Sequence, residues 1–115
     1  MKIKTGCDLV DIKKFQKSVT RGGEAFLSRI FSTHEIANNP TIENLAGLFA
    51  VKESVKKALE IKPDDWKKIE VVKSKSGRPS IKLIEIKEKI ISQDISISHD
   101  AGFAMAISVF ILDEK

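Results

Sequence analysis

An α+β fold is the architecture this sequence predicts: an antiparallel sheet packed against one long helix and several short helices. Three observations point to it. Helical spacing of apolar residues is confined to the stretch before Pro63, Asp64 and Asp65. Beyond Trp66 the period changes to alternation, clearest in ISISHD at 95–100. Near the carboxyl end, AMAISVFIL at 104–112 is an almost unbroken apolar run rich in β-branched residues, the pattern of a buried strand.

Residues 2–10, with Ile3, Leu9 and Val10 among small residues, read as the first strand. Asp11 can cap a short helix over 11–19 that turns Ile12, Phe15 and Val19 to one face. Gly22-Gly23 interrupts it, and GEAFLSRIF at 23–31 forms a second, with Phe26, Leu27 and Ile30 inward. Ser32 or Thr33 opens another turn, with Glu35 placed for a capping box, and Asn38-Asn39-Pro40 closes it. The long helix spans 42–60 and stops at Pro63, with Trp66 expected to fold back onto it. IEVVKS at 69–74 reads as a strand, SKSGRP at 74–79 as a turn and SIKLIEI at 80–86 as a second strand. Residues 85–93 fit helix or strand continuation equally.

The 115 residues suffice for one domain, 1–115, with one core. Apolar content of 42% and charged content of 31% are ordinary for a soluble globular protein. No apolar run approaches the ~20 residues of a membrane span, and the amino end is too short in apolar residues for a signal peptide. The expectation is a cytoplasmic protein. One cysteine, Cys7, excludes an internal disulfide framework. The net charge is +4, but Lys13, Lys14, Lys17 and Arg21 crowd one stretch, which favours an anionic partner or simply a solvated face.

On a helical wheel at ~100° per residue, Leu45, Leu48, Val51, Val55 and Leu59 share one arc of the long helix. Lys52 falls inside that arc. Glu53 lies just past its edge, with Lys57 one turn further on the same side. Alone, Glu53 and Lys57 are a routine helical pair, and Lys52 a lysine that snorkels. Asp8 interrupts an apolar strand, however, and a carboxylate there needs a partner or a metal. His99 ends an alternating strand just before a turn. Asp8 and Glu53 together supply two hard oxygen ligands suited to Mg²⁺, which keeps waters and accepts substrate phosphates. Lys52, Lys57 and His99 suit those phosphates. The sequence has no zinc spacing, Walker loop, GxGxxG or GxSxG.

In order along the chain stand GCDLV, FSTHE, LAGLFAVKESVKKA, SGRP and SISHD. This series resembles the 4′-phosphopantetheinyl transferases, and the length resembles their short, holo-acyl-carrier-protein synthase type. The most specific piece is F-A-x-K-E-S-x-x-K, met by Phe49, Ala50, Lys52, Glu53, Ser54 and Lys57. The resemblance implies transfer of the phosphopantetheine arm of coenzyme A to a serine of an apo acyl carrier protein. Adenosine 3′,5′-bisphosphate would be released. It implies Mg²⁺ on Asp8 and Glu53, catalytic roles for Glu53 and Lys57, and coenzyme A contacts from Lys52, Lys57, Gly77, Arg78, Pro79 and His99. As base it leaves open Glu53 or a metal-bound water. It turns Lys13, Lys14, Lys17 and Arg21 into a docking surface for an acidic carrier protein. It further implies a homotrimer with sites between subunits.

The chain departs from the family pattern at Leu48, where a basic residue is usual, and at Glu60-Ile61-Lys62-Pro63, where a glycine loop is usual. Two other readings compete: a non-catalytic relative binding an acidic protein or a nucleotide, and a nucleic-acid-binding domain. The latter is disfavoured, since only Phe15 among the aromatics interleaves the basic stripe and there is no RNA-binding motif.

Overall fold

Five strands and three helices alternate unevenly along the computed structural model, which describes residues 1–114. Lys115, the last residue of the expected domain, lies outside the described residues. The order is β1 (Lys2–Asp11), α1 (Ile12–Ile30), α2 (Thr33–Asn38), α3 (Ile42–Leu59), a 3-10 turn at Trp66–Lys68, β2 (Ile69–Lys73), β3 (Pro79–Leu83), β4 (Lys89–Asp100) and β5 (Phe103–Asp113). The expected α+β class holds.

The expected Asp11 cap is present, and α3 is capped by Thr41. Asp11 accepts from the Lys14 amide at 3.2 Å and Thr41 from the Asn44 amide at 3.1 Å. Each is worth about 1 kcal/mol. Ser32 and Glu35 form the reciprocal capping box. The two expected early helices are joined as α1 but broken at Gly23, whose φ of 57° and ψ of −145° are not helical.

Pairing divides the strands into two sheets. β1, β5 and β4 form one antiparallel sheet in that order, while β2 and β3 form a separate hairpin. The first strand thus pairs with the last, Gly6 opposite Ser108 and Asp8 opposite Ala106. β3 ends at Leu83, short of the expected 86, and Glu85 takes a positive φ of 57°. The undecided segment becomes strand from Lys89 onward.

α3 lies between the larger sheet and the remaining elements and is buried on nearly every side. Its small-residue arc meets the sheet. A Cβ at Gly6 would fall 1.8 Å from the Ser54 carbonyl oxygen, so only glycine lets β1 approach α3 this closely. The large-residue arc predicted to form the core is buried as well.

One expectation needs correction. β5 was expected to be a buried strand, but only Ala104, Ala106, Ser108, Phe110 and Leu112 are buried, all on the face turned to α3. Phe103, Met105 and Ile107 lie on the opposite face and are exposed, beside Ile3 and Leu9 of β1. Alternation reappears because strand geometry sends successive side chains to opposite faces, whatever their polarity. Among the described residues no helix is long and apolar enough to cross a membrane.

Candidate active site

The register of the larger sheet decides which strand residues face α3. Asp8, Ala106 and Ile97 form one row across the sheet, and Val10, Ala104 and His99 form the next. Both rows are on the helix side. Asp8 therefore reaches one flank of α3 from β1, and His99 reaches the other from β4.

On the β1 flank, Lys57 Nζ donates to Asp8 Oδ1 at 3.0 Å and to the Cys7 carbonyl at 3.1 Å. The Asp8 carboxylate holds the Lys57 ammonium above the ordinary lysine value. Glu53 does not form the expected pair with Lys57. Instead Lys56 Nζ donates to Glu53 Oε1 at 3.1 Å. Asp8 and Glu53 share a cleft of about 370 Å³ whose other walls include Lys14, Phe15, Phe26 and Phe49. Asp11 anchors Lys14 there by capping α1.

On the opposite flank, a smaller cleft of about 170 Å³ is lined by Asn44, Gly47, Leu48, Lys73, Gly77, Pro79 and His99. Leu48 and Glu53 are five residues apart on α3, so at ~100° per residue they point about 140° apart. His99 Nε2 donates to the Glu43 carbonyl at 3.0 Å, which needs the proton on Nε2. A Cβ at Gly47 would sit 3.1 Å from that nitrogen, so glycine keeps the ring seated against the helix. Arg78, on the β2–β3 turn, donates from Nη2 to Asp94 Oδ1 at 3.0 Å and from Nε at 3.2 Å. Asp94 is held below the usual carboxylate range by that guanidinium.

Three expected coenzyme A contacts line neither cleft: Lys57 stands beside Asp8, Arg78 is paired with Asp94, and Lys52 is buried. Expected at a phosphate, Lys52 is instead 1% exposed, donating to Glu35 Oε1 at 2.7 Å and to the Ile30 carbonyl at 2.7 Å. Burial draws its pKa below the lysine norm, against the pull of Glu35. Glu35 also accepts from the Ser32 amide and, through Oε2, from the Val71 amide at 2.8 Å. One carboxylate thus ties α2, α3 and β2 together.

The four cations of the early stripe are all exposed. Lys14 lines the Asp8–Glu53 cleft, while Lys13, Lys17 and Arg21 line a neighbouring groove on α1. No group of three or more His, Cys, Asp or Glu side chains able to hold a metal occurs among the described residues.

A family model described as the 4′-phosphopantetheinyl transferase superfamily matches residues 4–108, nearly the whole chain and every residue of both clefts. The chain belongs to this superfamily. A protein of Geobacter sp. (strain M21) named holo-[acyl-carrier-protein] synthase is 37% identical over 118 aligned positions, covering 91% of this chain and 94% of the relative. The Helicobacter pylori holo-[acyl-carrier-protein] synthase, solved in complex with coenzyme A, superposes with a TM-score of 0.84 at 34% identity, over 93% of this chain and 99% of that one. The Chronobacterium ammoniagenes synthase–coenzyme A complex gives 0.87 at 29% identity, over 99% and 100%.

Within this transferase-superfamily fold, three residues went unread in the sequence. Lys73 enters the His99 cleft from β2 because the hairpin folds over α3, a non-local fact with no sequence signal. Glu35 announced itself only as a capping residue. Lys56 went unread because the i,i+4 spacing pointed to Lys57 as the partner of Glu53, whereas the pair formed is i,i+3.

Proposed function

We propose that the protein is a holo-acyl-carrier-protein synthase. It transfers the 4′-phosphopantetheine arm of coenzyme A to a serine of an apo carrier protein and releases adenosine 3′,5′-bisphosphate. The observation that carries the reading is one cleft lined by Asp8 and Glu53, with Lys57 bonded to Asp8, in a chain of this superfamily. The coenzyme A complex of the Helicobacter pylori relative supports the co-substrate.

Asp8 and Glu53 fit Mg²⁺ by chemistry: both are hard oxygen donors beside an open cleft, where waters and substrate phosphates complete the shell. When bound, the ion neutralises charge on the pyrophosphate oxygens. Lys57, pinned by Asp8 and the Cys7 carbonyl, presents a fixed positive charge to the transferred phosphoryl group. The serine Oγ attacks phosphorus. The bond from phosphorus to the oxygen of the adenosine half breaks, and its electron pair leaves with the bisphosphate. The serine proton passes to Glu53 or to a water beside it. His99, Lys73, Gly77, Arg78 and Pro79 receive the nucleotide half. Lys52 serves the scaffold through Glu35.

Lys13, Lys14, Lys17 and Arg21 form the landing surface for an acidic carrier protein, and such rim charges act mainly on the association rate. The working unit is a homotrimer. Its support is the uncovered apolar face around Leu9, Met105 and Ile107, a patch of the kind that marks subunit contacts. Further support is the position of the two clefts on opposite flanks of α3, which suits a site closed by a neighbour. A cytoplasmic setting and a carrier of fatty acid synthesis belong to the same reading.

The test is incubation with coenzyme A, Mg²⁺ and apo carrier protein, read by mass spectrometry. The expected result is the phosphopantetheine increment, lost without Mg²⁺ and in Glu53→Ala. Coenzyme A binding with no modification of any carrier would make the protein a binding relative and overturn the assignment.

A further inference from the structure

Asp8 and Glu53 are each already paired with a lysine. Lys57 holds Asp8, and Lys56 holds Glu53. These two pairs are neutral, and Asp11 and Lys14 add one charge of each sign to the same cleft, so the resting cluster has little net attraction for a cation. The two lysines are not equivalent. Lys57 is exposed, with 57% of its side chain accessible, and is held by Asp8 and the Cys7 carbonyl. Lys56 is 9% exposed and anchored: its ammonium donates to the Pro63 carbonyl and sits 3.4 Å from the centre of the Trp66 ring. Trp66 in turn stacks on Phe49, at 5.3 Å between centroids, and Phe49 walls the cleft. A cation over an indole face, bound to a carbonyl and nearly dry, does not swing away.

We propose that Lys56 is a positioning residue that orients Glu53 and keeps divalent-cation affinity low until the pyrophosphate arrives. The inference rests on the metal reading of Asp8 and Glu53 and adds an order to it. The fixed ammonium repels a cation approaching Glu53, so the metal alone binds weakly. Coenzyme A brings the negative charge that offsets this repulsion, and cation and co-substrate enter together. The loop after α3 gains a role here, because Pro63 and Trp66 supply the anchor.

The experiment measures binding of Mn²⁺ alone by its EPR signal, with Mg²⁺ as competitor, and repeats it with coenzyme A present. Lys56→Gln keeps a donor for Glu53 and Pro63 but removes the charge, and Lys56→Arg keeps the charge. Lys56→Gln is expected to bind Mn²⁺ alone about three- to tenfold more tightly, from the loss of one unit charge within a few ångströms. The enhancement by coenzyme A shrinks correspondingly, and kcat falls while the KM for coenzyme A holds. Lys56→Arg stays near the wild type in all three. Equal or weaker Mn²⁺ binding in Lys56→Gln, alongside a wild-type protein that does bind Mn²⁺, overturns the proposal and leaves Lys56 as scaffold. Wild-type protein that binds no Mn²⁺ with or without coenzyme A, or Glu53→Gln that binds it as well as the wild type, overturns the metal reading instead.

Discussion

Lys57 and Asp8, 49 residues apart in sequence, meet at 3.0 Å where β1 crosses the last turn of α3. Glycine at position 6 makes the crossing close enough. The lysine keeps a second acceptor in the Cys7 carbonyl, so loss of Asp8 does not release it altogether. Asp8→Ala is therefore expected to retain the fold, with a melting temperature within a few degrees of the parent. Its transfer rate should fall on the order of a hundredfold, because the cation loses a ligand and Lys57 loses the carboxylate that aims it at the phosphoryl group. A rate within threefold of wild type at saturating Mg²⁺ would remove Asp8 from the chemistry.

The same contact sets a pH expectation. Asp8 raises the Lys57 pKa above the ordinary lysine value of 10.5, the hydrogen bond being the main cause. A raised ammonium pKa contributes stability that is complete below the unfolded value and is lost as pH climbs through the folded one. The contact thus persists through the neutral and mildly alkaline range. In Asp8→Asn the Lys57 titration, followed by NMR of its Nζ, should move down toward 10.5. An unmoved titration would mean that the two groups do not share a proton-linked contact in solution.

The buried pair behaves differently. Glu35 and Lys52 are each almost fully enclosed, at 1% exposure, and Glu35 takes three donors from three segments. Removing one partner strands the other charge, so Lys52→Met or Glu35→Gln alone should cost about 3–5 kcal/mol in urea unfolding. The double variant should cost clearly less than the sum, because no charge is left unpaired. Additive losses would show the two side chains to be independent.

How much of this was readable beforehand follows from where the information lies. Local signals were legible: the Asp11 cap, the Ser32–Glu35 box, the break at Gly23 and the alternation in β4 are all written within a few residues. The motif order located Asp8, Glu53, Lys57 and His99. Partner choice was not legible. Lys52 and Lys57 stand on one helix with similar surroundings in sequence, yet one meets Glu35 in the core and the other Asp8 at a cleft. Which acceptor each finds depends on β1 pairing with β5 and on α2 docking under α3, both long-range. The apolar run of β5 misled for a related reason: apolar side chains on both faces call for two covers, and the chain itself supplies one.

Glu60 carries the cost of the altered loop. It closes α3 in the left-handed conformation, φ 54° and ψ 43°, which a glycine adopts freely and a glutamate does not. Its side chain recovers part through Lys4 at 3.5 Å, an exposed pair of small worth. Glu60→Gly should stabilise the protein by roughly 0.5–1 kcal/mol, after allowance for the greater freedom of the unfolded chain. A lower melting temperature in that variant would mean that the Lys4 contact outweighs the strain.

The sharpest expectation concerns the two flanks of α3. Asp8 and Glu53 line one side, and His99 with Gly77 and Pro79 the other, with the buried helix between them. If neighbouring subunits close each site, a copy bearing Glu53→Ala and a copy bearing His99→Ala fail alone but complement when co-assembled. One class of interface in the mixture then pairs an intact Glu53 with an intact His99. Mixed, refolded trimers should recover a substantial fraction of wild-type transfer. Met105→Glu should abolish both the recovery and the assembly, by setting a charge on the apolar face beside Leu9, as read by light scattering after gel filtration. Mixed trimers as inactive as either parent would confine each site to a single chain. A Met105→Glu protein of unchanged mass would move the interface off this sheet.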